Sequence, residues 1–318
     1  PTGFVALQQD NLLETSKGIP DFVWIKNRDA TDNYQMYDTT RGVQKSLTTE
    51  NGVEATTIDG LQKFLKGGFA IEDDVSVNTS GESYVSWNWI ASGGTTSANT
   101  DGSGATQAST IQANQTAGFS IVQGRYFEGS LAHGLSQAPE WILYKETDPN
   151  VNNWYSWHTA MTSENYYMLL GSSAGQVNYG SNLWDVTSTR FGKDLSLSGT
   201  RNAIAYCWHG VTGYSKFGRY TANNSADGPF VYTGFKPSWL LIKSLGAISW
   251  YIIDATRSTI NPVTAGVTLD NSQAEFTNQF TLDFLSNGFK IRNSSSGNGA
   301  STNHTSYDPY IYCAFAEH

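Results

Sequence analysis

The sequence predicts an all-β fold, organised as a tandem array of three related β-sandwich or jelly-roll-like modules. Charged residues make up only 15% of the 318 residues, and aromatic residues make up 13%. This balance, with a polar remainder rich in Ser, Thr, Asn and Gly, favours strands and turns over helices. The number of modules follows from a strand-like phrase that occurs three times, as "PDFVWIK" from Pro20, "PEWILYK" from Pro139 and "PSWLLIK" from Pro237.

Each copy of this phrase has the pattern of a buried central strand. It is apolar on both faces and rich in aromatic and β-branched residues, which is typical of a strand that is covered on both sides. The proline at its head stands where a strand loses no important ladder hydrogen bond. The lysine at its end (Lys26, Lys145 or Lys243) is expected to mark the point where the strand returns to water.

The repetition continues beyond the strand with a nearly fixed spacing. An aromatic pair or its remnant follows each strand, as Asn33-Tyr34, Trp154-Tyr155 and Trp250-Tyr251. A motif ending in Phe69, Phe191 or Phe289 comes 43, 46 and 46 residues after the strand lysine. Each copy then closes on an aromatic strand, "YVSWNWI", "AIAYCWH" or "YIYCAF". Several short strands per copy, separated by turns, predict a sandwich-like module.

These landmarks place the predicted modules at residues 1–92, 117–212 and 213–318. Repeats of about 100 residues are domain-sized, so the predicted arrangement is a tandem array and not a short-period solenoid. Residues 93–116 are rich in Ser, Thr and Gly. They are either a flexible linker or an ordered strap in which Ile111 docks, and the sequence leaves both alternatives open.

The charge of the chain argues against two classes of partner. The net charge of −9 opposes nucleic-acid binding, which needs a basic surface to displace counterions from phosphates. It also disfavours docking to an anionic membrane face. No run of 18 apolar residues is present, so the sequence predicts no segment that spans a bilayer.

The sequence offers no convincing catalytic or metal-binding constellation. Glu72, Asp73 and Asp74 form the densest acidic cluster, and we interpret it as a solvated turn in preference to a catalytic carboxylate pair. The histidines are scattered, and no nucleophile elbow or phosphate loop is present. We therefore expect a protein that is not an enzyme and that holds no metal and no cofactor. Cys207 and Cys313 fall one residue out of register in the aligned closing strands, which predicts buried free thiols on opposite strand faces.

The candidate ligand-binding residues are aromatic. Most tryptophans recur at equivalent positions and are expected in the core. Trp154 and Trp157 are the exceptions, because they fall in the loop-rich stretch "DPNVNNWYSWH", where exposure is expected. Together with Asn153 and Tyr155 they form the predicted ligand-binding set, with flat rings suited to the apolar face of a sugar. The loops that follow the repeated strand (27–34, 146–157 and 244–250) are the predicted recognition surface.

Several phrases resemble a known family. "FVWIKNRDATDNYQMYDTTRG", "GYSKFGRYTANNSADGPFVYTGFKPSW" and "LDFLSNGFKIRNSS", with the ending "YIYCAFAEH", are similar to a repeated module of uncharacterised function. That module is found in virion structural and tail-fibre-like proteins of marine tailed phages, including cyanophages. The resemblance implies a protein of the virion surface whose partners are other virion proteins. It also suggests a homo-oligomer, with a trimer as the expectation, unless the three modules themselves replace three subunits around a pseudo-threefold axis.

The leading expectation for function is therefore a non-enzymatic virion structural protein, a tail fibre or surface appendage that contacts a host-surface glycan. Tandem modules suit repetitively displayed ligands, because linked sites gain avidity without new contacts. Two alternatives remain open. The first is a capsid decoration or filament-forming protein. The second is a carbohydrate-binding or polysaccharide-depolymerising protein with an acidic cleft, expected near Glu72–Asp74.

Overall fold

The fold is nearly all-β, as the sequence predicts. The computed structural model of the chain describes residues 18–50, 54–91, 97–99, 104–126, 129–148, 153–181, 183–192, 201–294 and 300–316. Strands account for 46% and helices for 3% of the residues, so the composition-based expectation of a β protein is confirmed. Residues 1–17, with which the first predicted module begins, lie outside the described residues.

The strands are short, and they follow one another in chain order. The first group is β1 (Phe22–Asn27), β2 (Gln35–Asp38), β3 (Lys45–Ser46), β4 (Ala55–Thr56), β5 (Leu61–Leu65), β6 (Gly68–Ile71), β7 (Tyr84–Trp89), β8 (Ser97–Asn99) and β9 (Ser109–Asn114). The second is β10 (Phe119–Tyr126), β11 (Leu131–Ala132), β12 (Trp141–Glu146), β13 (Trp154–His158), β14 (Tyr166–Leu169), β15 (Val177–Asn178), β16 (Arg190–Phe191) and β17 (Arg201–Trp208). The third is β18 (Ser215–Tyr220), β19 (Phe230–Tyr232), β20 (Pro237–Ser244), β21 (Tyr251–Asp254), β22 (Val263–Thr268), β23 (Phe276–Leu285), β24 (Gly288–Ile291) and β25 (Tyr310–Ala316). The helices are α1 (Val75–Asn78), α2 (Ala300–Asn303) and a 3₁₀ turn (Thr305–Tyr307).

The strands assemble into several antiparallel sheets. The two largest have eight strands each, in the orders β15-β14-β13-β12-β17-β10-β9-β8 and β18-β25-β20-β21-β22-β23-β24-β19. A three-stranded sheet has the order β2-β1-β7, and three two-stranded sheets pair β3 with β4, β5 with β6 and β11 with β16.

The three copies of the repeated strand, β1, β12 and β20, occupy the same kind of place. Each is a central strand, flanked on one side by the strand that follows it and on the other by the closing aromatic strand. The register is also the same. The equivalent trios, read across the sheet, are Met36-Trp24-Trp87, Ser156-Leu143-Tyr206 and Ile252-Leu241-Cys313. The apolar pattern of the phrase therefore predicted its position correctly.

This register corrects one detail of the predicted repeat. The residue two places before Met36, Ser156 or Ile252 is Tyr34, Trp154 or Trp250, so these three are equivalent. The pairing of Asn33-Tyr34 with Trp154-Tyr155 was wrong by one residue. A lone aromatic in the first copy matches either member of an aromatic pair equally well, so the letters alone could not decide.

The motif that ends in Phe is only partly uniform. Phe69 and Phe289 lie in matching hairpins, opposite Phe64 and Phe284. Phe191 instead lies in β16, opposite Leu131 of β11. All three rings are buried, so the motif serves packing in each copy even where the pairing differs.

Part of the stretch predicted as linker or strap is ordered. Strands β8 and β9 extend the sheet beyond β10, with Ile111 opposite Val122. The side chain of Ile111 is buried in the core. These residues therefore favour the ordered strap over the flexible linker.

Aromatic rings from all three copies meet in one core. Trp89 of β7 lies 5.8 Å from Trp208, 5.7 Å from Trp239 and 5.8 Å from Phe315, measured between ring centroids. Trp141 stacks on Trp208 at 4.3 Å. Edge-to-face and offset stacking of this kind adds stability beyond the area that the rings bury. The three sequence repeats thus share a hydrophobic centre.

The second eight-stranded sheet is nearly closed. Its two end strands, β18 and β19, meet where Nζ of Lys216 donates to the carbonyl of Tyr232 at 2.8 Å. Closure buries a second core, centred on Leu240, Ile253 and Phe289 on the face of this sheet that turns away from the shared aromatic centre.

Candidate functional site

The predicted ligand-binding residues divide between the two faces of β13. Successive side chains of a strand point to opposite faces, so Trp154 lies on one face and Tyr155 and Trp157 lie on the other. Trp154 is 0% and Trp157 is 6% exposed, and the expectation that both are exposed was wrong. Tyr155 and Asn153 are partly exposed. Their role in ligand binding stays a prediction.

Trp154 is buried because it joins two of the predicted modules. Its indole N–H donates to the carbonyl of Thr48 at 2.8 Å. The equivalent residues Tyr34 and Trp250 also donate a hydrogen bond to a backbone carbonyl of another predicted module, and the acceptor residues are equivalent too. Tyr34 Oη donates to Thr268 O at 2.7 Å, and Trp250 Nε1 donates to Leu169 O at 3.0 Å.

These three hydrogen bonds follow a cyclic order. The first predicted module donates to the third, the third to the second and the second to the first. The three acceptor residues occupy the same register position in their copies. Leu169 lies opposite Tyr155, and Thr268 lies opposite Tyr251. Thr48 is the residue after Leu47, which forms a β-bridge with Met36. Each copy thus gives one donor and one acceptor to the set.

The repeated lysine supports the same ring in each copy. Lys26, Lys145 and Lys243 are fully buried, so the expectation that they return to water was wrong. Their ammonium groups lie 5.5, 5.8 and 5.8 Å from the ring centroids of Tyr34, Trp154 and Trp250. A cation over an aromatic face is attracted most strongly where water is excluded.

Burial changes the acidity of these ammonium groups. Loss of hydration disfavours the charged form, so it lowers the pKa of Lys243 to about 7 and the pKa of Lys26 to about 8. The proton on Lys243 is partly retained because Nζ donates to the carbonyls of Ser244 and Gly246, at 2.7 and 2.8 Å. The negative charge of Asp270 also opposes the shift.

A second set of contacts repeats the cyclic order. Asp38 accepts from Oη of Tyr206 at 2.8 Å, and Asp254 accepts from Nε1 of Trp87 at 3.3 Å. Each aspartate also accepts from the arginine three residues later, Arg41 or Arg257, in a buried ion pair. The second predicted module thus donates to the first, and the first donates to the third.

The middle copy uses a histidine at the same register. His158 takes the place of the aspartate and lies 3.1 Å, through Nε2, from the carbonyl of Tyr312 in the third predicted module. Its Nδ1 accepts from the N–H of Ala160, so Nε2 carries the hydrogen and the ring is neutral. Burial lowers the pKa of His158 to about 4, which agrees with the neutral form.

The outer face of β13 presents a tyrosine surface, which we define as Tyr155, Tyr167 and Tyr179. The rings of Tyr155 and Tyr167 meet edge to face, with centroids 5.2 Å apart. Tyr179, just after β15, is exposed. Burial, and then the nearby Tyr167, raise the pKa of Tyr155 to about 12, so its phenol stays neutral. Sequence analysis missed Tyr167 and Tyr179, since only the pairing of β14 with its neighbours brings them to this face.

A cleft lies at the other outward-facing residue of β13, Trp157. It has a volume of about 490 Å³, and Glu140, Glu164, Met161 and Val186 also line it. Both carboxylates already accept backbone N–H groups, Glu140 from Gly210 and Glu164 from Val186. Burial raises the pKa of Glu164. The two carboxylates thus have structural partners as well as a place in the cleft.

The acidic cluster Glu72–Asp74 lies elsewhere. Asp74 caps α1, with its side chain accepting from the N–H of Ser76 at 2.8 Å. Glu72 and Asp73 are exposed. This matches the predicted solvated turn, and the cluster faces no exposed aromatic platform in the described residues.

Two of the three predicted recognition loops contact other predicted modules. In loop 27–34, Arg28 forms an ion pair with Glu275 at 3.0 Å, and its carbonyl accepts from the Glu275 N–H. In loop 244–250, the carbonyl of Leu245 accepts from the N–H of Gln176 at 2.9 Å. In loop 146–157, residues 149–152 lie outside the described part of the chain.

The remaining candidate groups are structural in the described residues. Cys207 and Cys313 are buried free thiols, as predicted, and burial raises the pKa of both. Within the described ranges, no group of three or more His, Cys, Asp or Glu side chains is placed to hold a metal ion. None of the helices in those ranges has the length and apolar character needed to cross a bilayer.

Fold and site together define a nearly all-β protein with polar junctions buried between repeated strands. The chain belongs to the family described as "Domain of unknown function (DUF7483)", which matches residues 8–318. No curated protein and no solved structure matches the chain.

Replacing Tyr34 with Phe tests the hydrogen bonds that Tyr34, Trp154 and Trp250 donate between predicted modules, which we call the junction bonds. The ring remains, but the buried carbonyl of Thr268 loses its donor, so Tyr34→Phe should lower the free energy of unfolding by about 1–3 kcal/mol. Urea unfolding followed by tryptophan fluorescence measures this. The control is Tyr232→Phe, which changes the same atom on an exposed ring. A loss for Tyr34→Phe no greater than for the control would contradict the role of the junction bond.

Replacing Lys243 with Met tests its burial. The folded pKa of about 7 lies below the ordinary 10.5, so between these pH values the unfolded chain binds more protons and stability rises with pH. Lys243→Met should remove this contribution, which approaches ~1.4 kcal/mol per pH unit. Urea unfolding of both proteins between pH 7 and 9.5 measures the difference, below the range in which buried tyrosines ionise. Lys236→Met is the control with an exposed amine, and equal pH slopes in all three proteins would contradict the prediction.

Proposed function

We propose that this chain is a non-enzymatic structural protein of a virion surface, a tail fibre or surface appendage that attaches to a host-surface glycan. The sequence resemblance to modules of virion proteins supports the location. The low charge and high content of β structure support a protein that works outside a cell, where it must stay folded without chaperones. Its other partners would be neighbouring virion proteins.

The proposed scaffold is a tandem array of three related β-sandwich or jelly-roll-like modules, at 1–92, 117–212 and 213–318, around a pseudo-threefold axis. Two features support it. The repeated strand has the same neighbours and register in each copy. The bonds of Tyr34, Trp154 and Trp250 also run in one cyclic direction, as contacts do in a ring of identical subunits.

The observation that carries the attachment role is the tyrosine surface. Three tyrosines lie together on an outer sheet face, and the partly exposed Asn153 comes two residues before Tyr155. An aromatic ring with a polar tip offers a stacking face to the apolar side of a sugar and a hydrogen bond to its hydroxyls. Tyr155 and Tyr167 belong to strands, so the backbone positions of these two rings are fixed before a ligand arrives.

A polysaccharide depolymerase is the second candidate, because Trp157, Glu140 and Glu164 line one cleft. Two carboxylates beside an aromatic ring are the groups that glycoside hydrolysis needs. The backbone bonds that both carboxylates accept favour a structural role instead. If the protein is a depolymerase, it should release reducing ends from host polysaccharide. The variants Glu140→Gln and Glu164→Gln should each lose this activity. A capsid decoration or filament protein would differ from an appendage in its place on the particle.

The pseudo-threefold arrangement predicts the oligomeric state of the isolated chain. If three modules take the place of three subunits, the chain has no need of further copies, and light scattering should give the mass of one chain, 34.8 kDa. A trimer of chains, the other expectation from the sequence, would give three times this mass. A stable trimer at micromolar concentration would contradict the pseudo-threefold proposal and leave the glycan role standing.

Competition for adsorption tests the attachment role. Purified protein should slow adsorption of the parent phage to its host, because it occupies the same surface glycan. Tyr155→Ala combined with Tyr167→Ala should weaken this competition about tenfold or more, which corresponds to ~1.4 kcal/mol of lost contact. The matched control is Tyr166→Ala, a partly exposed tyrosine on the opposite face of β14. Full competition by the double variant, or none by the wild type, would contradict the attachment role.

A further inference from the structure

A second aromatic surface lies on the nearly closed sheet. Phe230 is 46% and Tyr232 is 59% exposed, and both stand on β19, while Val231 between them points into the second core. Large exposed aromatic rings on a well-ordered strand are unusual for side chains that serve only packing. Two of them side by side on one outer face indicate a surface that meets something else.

The neighbouring strand keeps the rings in place without covering them. Phe230 lies opposite Lys290, and Tyr232 lies opposite Gly288. A side chain at Gly288 would meet the carbonyl of Val231 and approach Phe230 within 3.1 Å, so the position admits only glycine. The result is an outer face, here called the platform, on which the pairing of β19 with β24 fixes the backbone that carries Phe230 and Tyr232.

Positive charge surrounds this platform. Nζ of Lys216 lies 5.1 Å from the ring centroid of Tyr232 and donates to the carbonyl of the same residue. No carboxylate pairs with Lys216 in the described part of the chain. Lys290, opposite Phe230, pairs at 2.6 Å with Asp227, whose side chain is 83% exposed. The side chain of Lys290 is 23% exposed, so water weakens this pair mainly at its aspartate, which an incoming anion can replace.

This local charge is opposite to that of the whole protein. The chain has a net charge of −9, so most of its surface repels anions. A lysine without an ionic partner beside two exposed rings is where an anionic ligand would find complementary charge. A neutral ligand would make no use of that lysine, and a cationic one would be repelled by it.

We propose that Phe230, Tyr232, Lys216 and Lys290 form a binding site for an acidic polysaccharide. The apolar face of a pyranose stacks on the two rings. The carboxylate of the sugar pairs first with the ammonium of Lys216 and second with the ammonium of Lys290. The site is separate from the tyrosine surface and does not depend on the attachment role proposed above. No bond is made or broken in the ligand.

Affinity electrophoresis in gels that contain alginate, a polyuronate, tests the proposal with the full chain. The wild type should be retarded by alginate and not by neutral dextran, and the retardation should fall as salt rises. Phe230→Ala and Tyr232→Ala should each weaken binding about tenfold, the equivalent of ~1.4 kcal/mol. Lys216→Met should weaken binding and reduce its salt dependence, whereas Lys216→Arg, which keeps the charge, should retain it.

Control variants distinguish this site from the rest of the protein surface. Ile260→Ala removes another exposed apolar side chain, and Tyr155→Ala removes a ring of the tyrosine surface, and both should bind alginate as the wild type does. Unchanged thermal unfolding shows that each variant is folded. Equal retardation by dextran and alginate, or none by alginate, polysialic acid and a sulfated glycan, would overturn the proposal. The proposal would also be overturned if Tyr232→Ala changed only the self-association of the protein in sedimentation, because this surface would then join copies of the chain.

Discussion

Burying an aromatic ring that carries a hydrogen-bond donor costs less free energy where an acceptor meets that donor. In this chain the donors of Tyr34, Trp154 and Trp250 meet backbone carbonyls that lie 81 to 234 residues away in the sequence. Separating these distant segments would leave each ring without an acceptor and each carbonyl without a donor. The same ring anchors a buried lysine, whose charge would be costly without it. The remaining architecture, from the shared aromatic centre to the buried aspartate–arginine pairs, depends on these junctions staying closed.

The sequence predicts the local structure of this fold better than its long-range contacts. The phrase "PDFVWIK" and its copies predict central strands because apolar residues on both faces are stable only when both faces are covered. The junctions escape prediction because their acceptors are backbone carbonyls, which every residue has, at sequence separations of 81 to 234 residues. The burial of Lys26, Lys145 and Lys243 could not be predicted from the sequence for another reason. A lone lysine at the end of an apolar run is normally solvated, and only the aromatic ring a few residues later signals otherwise.

The candidate site is predicted in the same partial way. Tyr155 was found from the aromatic stretch around it, whereas Trp154 in the same stretch belongs to a junction. Strand alternation separates the two, whereas the loop-rich character of the stretch predicts exposure for both tryptophans in it. Tyr167 and Tyr179 could be found only once the register of β13, β14 and β15 was known. The two aromatic surfaces also differ in charge, since Lys216 and Lys290 lie beside Phe230 and Tyr232. Such a difference lets one scaffold contact chemically distinct parts of a surface.

The nearly closed sheet affects how copies of this protein tolerate crowding. An open sheet presents unpaired N–H and C=O groups along its outer strands, and these recruit strands of other molecules into fibril-like stacks. Here the carbonyl of Tyr232 on one end strand is occupied by Lys216 from the other. The positive charge of the lysine also discourages a second strand from approaching that edge. This sheet is therefore protected from edge-to-edge aggregation by its own opposite end, even where the local concentration of the protein is high.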